Sequence, residues 1–296
     1  MRTMFAIEQL AQVACVWEVT ARKVGNVHRF TDFPGTTYLD FVLSATAIGR
    51  SYSCNTANHV GLTILLTVGQ TRDTVGQNTN LGILLLLAPL VAVPRATPFK
   101  NQQASGIDAV LQSLTQRDAE HVFEAIRIAN PGGLGDAPEQ DVHSEPTVTL
   151  LEAMKLAADR DMVARQYANG FADVFDFGVP AFLTAFERFG CVEAAIIDSQ
   201  LCWLAEYPDS LIARKKGNAV AADVQQRAKE VQALGGIATP EGRRAGVALD
   251  KHLRSDGNKL NPGTTADLIT ACLFVALREN KVLPSAPFRW NSPDWL

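Results

Sequence analysis

Apolar residues recur along this chain at helical spacing, and the polar residues that interrupt them gather where helices would end. Phe5, Leu10, Val13 and Val16-Trp17 mark one face of a first amphipathic helix. Tyr38 to Ile48 predicts a second, and His59 to Val68 a third. Leu81 to Val91 is nearly all apolar, the pattern of a central helix packed on every side. Asp118 to Ala129 is amphipathic, with Val122, Phe123, Ile126 and Ala129 on one face. Cap chemistry marks further starts. Thr149 with Glu152 has capping-box spacing, in which each side chain satisfies the other residue's backbone N–H. Thr239-Pro240-Glu241 sets a cap before a proline at the first helical position. Thr264 with Asp267 repeats the box spacing and opens a last helix to about Arg278. Sustained period-two alternation is missing, as is an Asn-Gly or Asp-Gly hairpin between β-branched runs. The prediction is an all-α fold, one multi-helix domain over 1–296 with its site formed by loops at helix ends. The stretch Val93 to Gln103, VPRATPFKNQQ, reads as a loop inside that domain, because the helices before it are too apolar to stand alone.

Composition narrows the function more than the fold. With 47% apolar residues in 296, a sizeable core is available. The formal charge of −4 argues against general nucleic-acid binding. It leaves room for phosphorylated small molecules held by a local basic cluster or a divalent metal. The five cysteines, Cys15, Cys54, Cys191, Cys202 and Cys272, are scattered and form no CxxC, which reads as reduced core thiols of a cytoplasmic protein. Glu8 interrupts the first apolar stretch, unlike a signal peptide. The most apolar run, Leu81 to Val93, contains Pro89 and is shorter than the ~20 residues of a membrane helix, so it reads as a buried helix.

Unusual polar residues concentrate in five loops. In ARKVGNVHRFTDF, Lys23, His28 and Arg29 crowd around Gly25 and Asn26, with Asp32 and Pro34-Gly35 beyond. Taken alone, this is a solvated helix C-terminus, where cations suit the dipole and Gly25 suits a positive φ. In GQNTNLGILL, Asn78 and Asn80 precede an apolar helix with Gly82 in its first turn, which fits an N-cap or an anion site equally well. In NPGGLGDAPEQDVHSEP, the acids Asp136, Glu139, Asp141 and Glu145 are hard oxygen ligands of the kind that suit Mg²⁺, although composition alone reads as an acidic surface loop. In YPDSLIARKKGN, Asp209 lies near Arg214, Lys215 and Lys216, as in a charged surface run. In GNKLNPGTTADL, the box spacing accounts for Thr264 and Asp267 without a ligand. Zinc, Ser-His-Asp and dinucleotide patterns are not present in convincing form, and GxxxxGK[ST] is absent.

In this order the five loops resemble the triphosphoribosyl-dephospho-CoA synthase family. The likeness rests on KVGNVHRFTDF leading into TTYLDFVLSA, on NTNLGILLLL, on the acidic loop followed by TLLEAMKLAADRD, on PDSLIARKKG and on LNPGTTADLITACLF, which together span nearly the whole chain. Carrier-loading members read Lys-Pro-Gly-Leu-Val-Asp-Arg followed by His-x-Asp-Met-Asp, and Thr-Asn-Thr-His-Lys-Gly. Here the text is Lys23-Val24-Gly25-Asn26-Val27-His28-Arg29, with Asp40 for the acidic run, and Asn78-Thr79-Asn80-Leu81-Gly82. These departures point to a divergent branch.

The resemblance implies an all-helical enzyme that uses ATP and 3′-dephospho-CoA. It attaches the triphosphoribosyl part of ATP to a ribose 2′-hydroxyl and releases adenine. Such a reaction passes through an oxocarbenium-like centre. It needs a proton or hydrogen bond for departing adenine, a base for the incoming hydroxyl, and a neutralised, immobile triphosphate. On this reading Lys23 and Arg29 hold triphosphate, and Arg214 and Lys215 form a second anion clamp. Asn26, His28, Gly82 and Asp209 belong to the nucleotide site, and Asn78 and Asn80 orient ribose or phosphate. Asp40, Glu139 and Asp141 hold Mg²⁺ or act as base. The partners implied are small nucleotides, with neither nucleic acid nor membrane, and a homo-oligomer is compatible with the pattern. Two alternatives stay open: a different acceptor, such as a pterin-type cofactor precursor, and a non-catalytic protein that binds ATP or CoA derivatives.

Overall fold

The computed structural model describes residues 5–53, 59–100, 106–132, 139–257, 259–292 and 295, without the side chains of 50, 51 and 53. Among these the fold is all-α, as expected. No strand forms, and the nearest approach is a pair of isolated bridges, His28 to Thr31 and Phe33 to Thr36. No described helix is long and apolar enough to cross a membrane. Two compact units divide the chain: Met1–Cys15 with Asp40–Asp173, and Val16–Leu39 with Val174–Leu296. Helix α1, Ile7–Thr20, contributes residues to both units, and so does α2, Tyr38–Ser53. Of the cysteines, Cys15, Cys191 and Cys272 are buried and unbridged, Cys202 is half-buried, and Cys54 lies outside the described residues.

The first unit continues with α3 (Val60–Val75), α4 (Leu81–Ala92), α5 (Ile107–Gln112), α6 (Gln116–Ala129), α7 (Leu150–Ala157) and α8 (Met162–Ala168). Helices α3 and α6 approach so closely that a Cβ on Gly61 would lie 2.5 Å from the Asp118 carbonyl. Asp118 also accepts the Gly61 N–H at 2.9 Å and completes a capping box with Thr115. The box predicted for Thr149 and Glu152 forms at the start of α7. Helix α4 is buried at Leu81 and from Ile83 to Val91, as its composition requires. Pro89 lacks the N–H that would bind the Leu85 carbonyl one turn back. The Tyr167 hydroxyl takes its place, donating to that carbonyl at 2.6 Å.

The second unit holds a π-helical turn at Asp173–Gly178, then α9 (Val179–Phe189), α10 (Val192–Glu206), α11 (Ser210–Lys216), α12 (Asn218–Ala233), α13 (Pro240–Arg254) and α14 (Gly263–Arg278). Helix α10 packs against α9, α12 and α14. Its residues Ala194, Ile197, Leu201 and Leu204 join Val224 of α12, Leu249 and Leu253 of α13, and Trp295 in one core. The backbone N–H groups at the start of α10 would otherwise be orphans. Val192 and Glu193 donate them to the Pro287 and Phe288 carbonyls at 2.8 and 3.0 Å. Thr239 caps α13 ahead of Pro240, as predicted. The box expected of Thr264 and Asp267 does not form. Helix α14 begins earlier, at Gly263, with Pro262 in the cap position and no side-chain cap. Thr264 therefore sits inside the helix, where its hydroxyl accepts from Ser210 at 3.1 Å.

Candidate functional site

The loop after α1 is a buried turn pinned by several helices of the second unit. Gln200 of α10 accepts the Val24 N–H and donates back to the Val24 carbonyl, both at 2.9 Å, and donates to Asn26 Oδ1 at 2.7 Å. Asp250 of α13 accepts the Gly25 N–H at 2.7 Å. Arg254, one turn on, holds Asp250 at 2.9 Å and donates to the Asn26 carbonyl at 2.7 Å. Gly25 has φ +70°, and a Cβ there would fall 2.7 Å from Leu253, so only glycine suits the position.

Lys23, expected from the resemblance to hold triphosphate, is engaged within the turn itself. Its side chain is fully buried, and its ammonium meets the Glu18 carboxylate at 3.0 Å, the Glu18 carbonyl at 2.6 Å and the Ala21 carbonyl at 3.4 Å. An ammonium has three hydrogens, and all are engaged. Burial pushes Lys23 down and Glu18 up, and their mutual attraction pulls each back.

Beside this pair, two guanidiniums share one carboxylate. Glu193, fully buried at the start of α10, accepts from Arg22 Nε and Arg29 Nη2, both at 2.9 Å, and pairs with Arg29 Nη1 at 2.8 Å. Burial would raise its carboxyl, but the donors from Arg29 and Arg22 and the Trp290 N–H hold it below the ordinary value. Phe30 is exposed over Arg29, its ring 4.7 Å from the guanidinium carbon. His28 is buried, and its Nδ1 accepts the Phe30 N–H at 3.3 Å. Burial, then Lys23, Arg254, Arg29 and Arg22, lower its pKa to about 3, so the ring is neutral.

Three of the five loops meet in this unit. Asn26 Nδ2 donates to the Pro262 carbonyl at 3.4 Å, joining the first loop to the fifth. Asp209 joins the fourth to the fifth. One of its oxygens accepts the Leu211 and Ile212 N–H groups at 2.9 and 3.0 Å, and the other takes the N–H and hydroxyl of Thr265, both at 2.8 Å. It thus caps α11 and anchors α14. Burial raises its carboxyl, against the pull of those donors. Lys215 is exposed and donates to Asn261 at 3.3 Å, while Arg214 is half-buried on α11.

The other predicted residues belong to the first unit. Asp40 lies in the first turn of α2, half-buried, and accepts from Gln77 at 3.4 Å. Ser44 and Thr79, 35 residues apart, pair through their hydroxyls. Asn78 Oδ1 accepts the Leu81 N–H at 3.2 Å, whereas Asn80 is buried and turns back to Thr71 at 3.1 Å. Gly82 is the second residue of α4. Glu139 is exposed, and Asp141 closes a turn by accepting the His143 N–H at 2.8 Å. Asp136 lies outside the described residues. Among the described residues no three His, Cys, Asp or Glu side chains group to hold a metal, so Asp40, Glu139 and Asp141 do not fit a preformed Mg²⁺ cage.

Residues that the sequence reading passed over carry much of this geometry: Arg22, Glu193, Gln200, Asp250 and Arg254. Glu193 and Gln200 did leave a signal. They are polar residues seven apart, hence on one face, within the mostly apolar helix VEAAIIDSQLCWLAE. A carboxylate in such a run calls for a paired cation.

The model of the family described as ATP:dephospho-CoA triphosphoribosyl transferase matches residues 4–285. A Pseudomonas putida protein named "Probable 2-(5''-triphosphoribosyl)-3'-dephosphocoenzyme-A synthase" is 28% identical over 208 residues, 70% of this chain and 65% of that protein. A protein of the same name from Pseudomonas savastanoi pv. phaseolicola is 32% identical over 115 residues, 38% of this chain and 39% of its own. The chain thus spans less than two thirds of the length of these curated relatives. The crystal structure of a candidate triphosphoribosyl-dephospho-CoA synthase from Archaeoglobus fulgidus superposes with a TM-score of 0.63 at 26% identity, covering 80% of this chain and 97% of that one.

Proposed function

Because the chain belongs to the ATP:dephospho-CoA triphosphoribosyl transferase family, we propose that it is a pentosyltransferase that moves the triphosphoribosyl part of ATP onto a hydroxyl of dephospho-CoA or a closely related nucleotide. The ribose C1′–N9 bond of ATP breaks, and its electron pair leaves with adenine. The acceptor oxygen bonds to C1′, and its proton passes to a base. The observation that supports this reading best is the cationic turn of the second unit. Among the described residues, Arg22, Arg29 and Arg254 pair there with two carboxylates, Glu193 and Asp250, beside a neutral His28. Fixed donors of this kind suit a triphosphate, since they are already oriented when negative charge arrives.

For the proton, the first unit offers Asp40, placed on a helix and oriented by Gln77, in preference to exposed Glu139 or turn-bound Asp141. Within the first unit, the start of α4, where Asn78 caps Leu81, offers backbone N–H groups of the kind that bind phosphate. Mg²⁺ enters this reading as the counter-ion that ATP brings, and no step depends on a resident metal. On this reading the reaction belongs to the cytoplasm, the compartment that nucleotide substrates suit.

The test is adenine release from Mg-ATP, followed by chromatography, with dephospho-CoA, with CoA and with no acceptor. Release that depends on dephospho-CoA is expected. Release with CoA instead moves the acceptor assignment. No adenine in any arm leaves a nucleotide binder and overturns the enzyme reading.

A further inference from the structure

The turn at Gly25 keeps two buried donors without partners. His28 is 1% exposed, and its Nε2 meets no acceptor; Nη1 of Arg254 meets none either. The remaining groups of both side chains are committed. His28 Nδ1 accepts the Phe30 N–H, which assigns the ring proton to Nε2. Arg254 spends Nε on Asp250 and Nη2 on the Asn26 carbonyl, two residues before His28, so its fork is fixed against the turn. Buried donors are costly to leave unmade, and a native structure that retains them needs an explanation such as a ligand.

The charges around His28 identify the ligand class. After burial, the largest influences on its protonation come from Lys23, Arg254, Arg29 and Arg22, all cations. They keep the imidazole neutral, so it offers a hydrogen-bond donor without adding a charge. Lys23 is cancelled by Glu18 and Arg254 by Asp250, and Glu193 is shared between Arg22 and Arg29, so one positive charge is left over. An anion completes such a set, and a cation or an apolar group does not.

We propose that His28 Nε2–H and Arg254 Nη1–H form an anion subsite that takes one phosphate of a nucleotide, a role that rests on the nucleotide transfer proposed above. The phosphate oxygen accepts both hydrogens, and the surplus positive charge of the cluster balances it. His28 and Arg254 thus offer a phosphate contact beside the buried Lys23.

The experiment uses the full chain and inorganic tripolyphosphate, by titration calorimetry. The parent binds, His28→Leu weakens binding by about tenfold or more, and His28→Gln, which keeps an N–H donor, stays within about threefold. No binding by the parent means that the donors are merely hydrated and overturns the subsite. So does equal affinity for the parent and a folded His28→Leu. Should His28→Leu fail to fold, the His28 ¹⁵Nε2 resonance of the parent decides: it shifts with tripolyphosphate, or the subsite is wrong. The two readings fail separately. Tripolyphosphate binding that depends on His28 without adenine release removes the transferase and keeps the subsite. Adenine release with His28-independent binding does the reverse.

Discussion

Replacing Glu193 by Gln keeps the shape of the side chain and removes its charge. Both carboxylate oxygens are used, one by Arg22 Nε and Arg29 Nη1 at 2.9 and 2.8 Å, the other by Arg29 Nη2 and the Trp290 N–H at 2.9 and 3.1 Å. An amide must turn its NH₂ toward one of these donors. Removing one partner of a buried ion pair costs about 3–5 kcal/mol. Arg22 and Arg29 keep 11% and 20% of their side-chain surface, so water relieves part of that cost. The expected loss is therefore about 3 kcal/mol, at the low end of that range. With a urea dependence of about 2 kcal/mol/M, the unfolding midpoint falls by about 1.5 M. Trp17, Trp203, Trp290 and Trp295 all belong to the second unit, so tryptophan fluorescence reads the unit that carries the change. The sign with pH provides a second check. The folded Glu193 carboxyl lies below its ordinary 4.5, so its contribution is complete above that pH and fades as pH falls through the folded value. The gap between parent and variant closes in acid. A midpoint shift below about 0.3 M would refute the reasoning, because it matches an ordinary solvated substitution.

Tyr167→Phe strands the Leu85 carbonyl inside α4 and costs about 1–3 kcal/mol by thermal melting, most of it recovered when Pro89→Ala restores a backbone donor; the same loss in the Pro89→Ala background rejects the substitute-bond account. His28 titrates near 3 when folded and near 6.5 when unfolded, so its share of stability is full above 6.5 and is lost as pH falls toward 3. Between pH 6.5 and 5 that loss is about 2 kcal/mol, visible in urea titrations and missing from His28→Leu; an identical acid dependence in the variant contradicts it. Asp40→Asn lowers adenine release by about 10²–10⁴-fold while tripolyphosphate affinity holds; undiminished release removes Asp40 as the base.

Much of the architecture was legible in the residues themselves. A helix is closed by hydrogen bonds four residues apart, and its caps by contacts three apart, so Thr149 with Glu152 and Thr239 with Pro240 name their own helix starts. The apolar run at Leu81 can only be buried, and its proline predicts a carbonyl in need of a donor. That Tyr167 supplies the donor, 82 residues away, is a matter of packing. The same limit explains Thr264 and Asp267. Their spacing is that of a box, but Asp209, 56 residues earlier than Thr265, takes the N–H and hydroxyl of Thr265, and the helix starts at Gly263. Loop membership was legible as a set of polar clusters, and the side-chain roles within it were not. Lys23 reads as a surface cation until Glu18 is seen to bury and neutralise it. Arg22 finds Glu193 across 171 residues, and Gly25 finds Asp250 across 225. Periodicity and cap chemistry act over a turn of backbone and are written in the sequence. Which cation is cancelled and which donor is left for a ligand depends on pairings between distant segments, and only the packed core settles those.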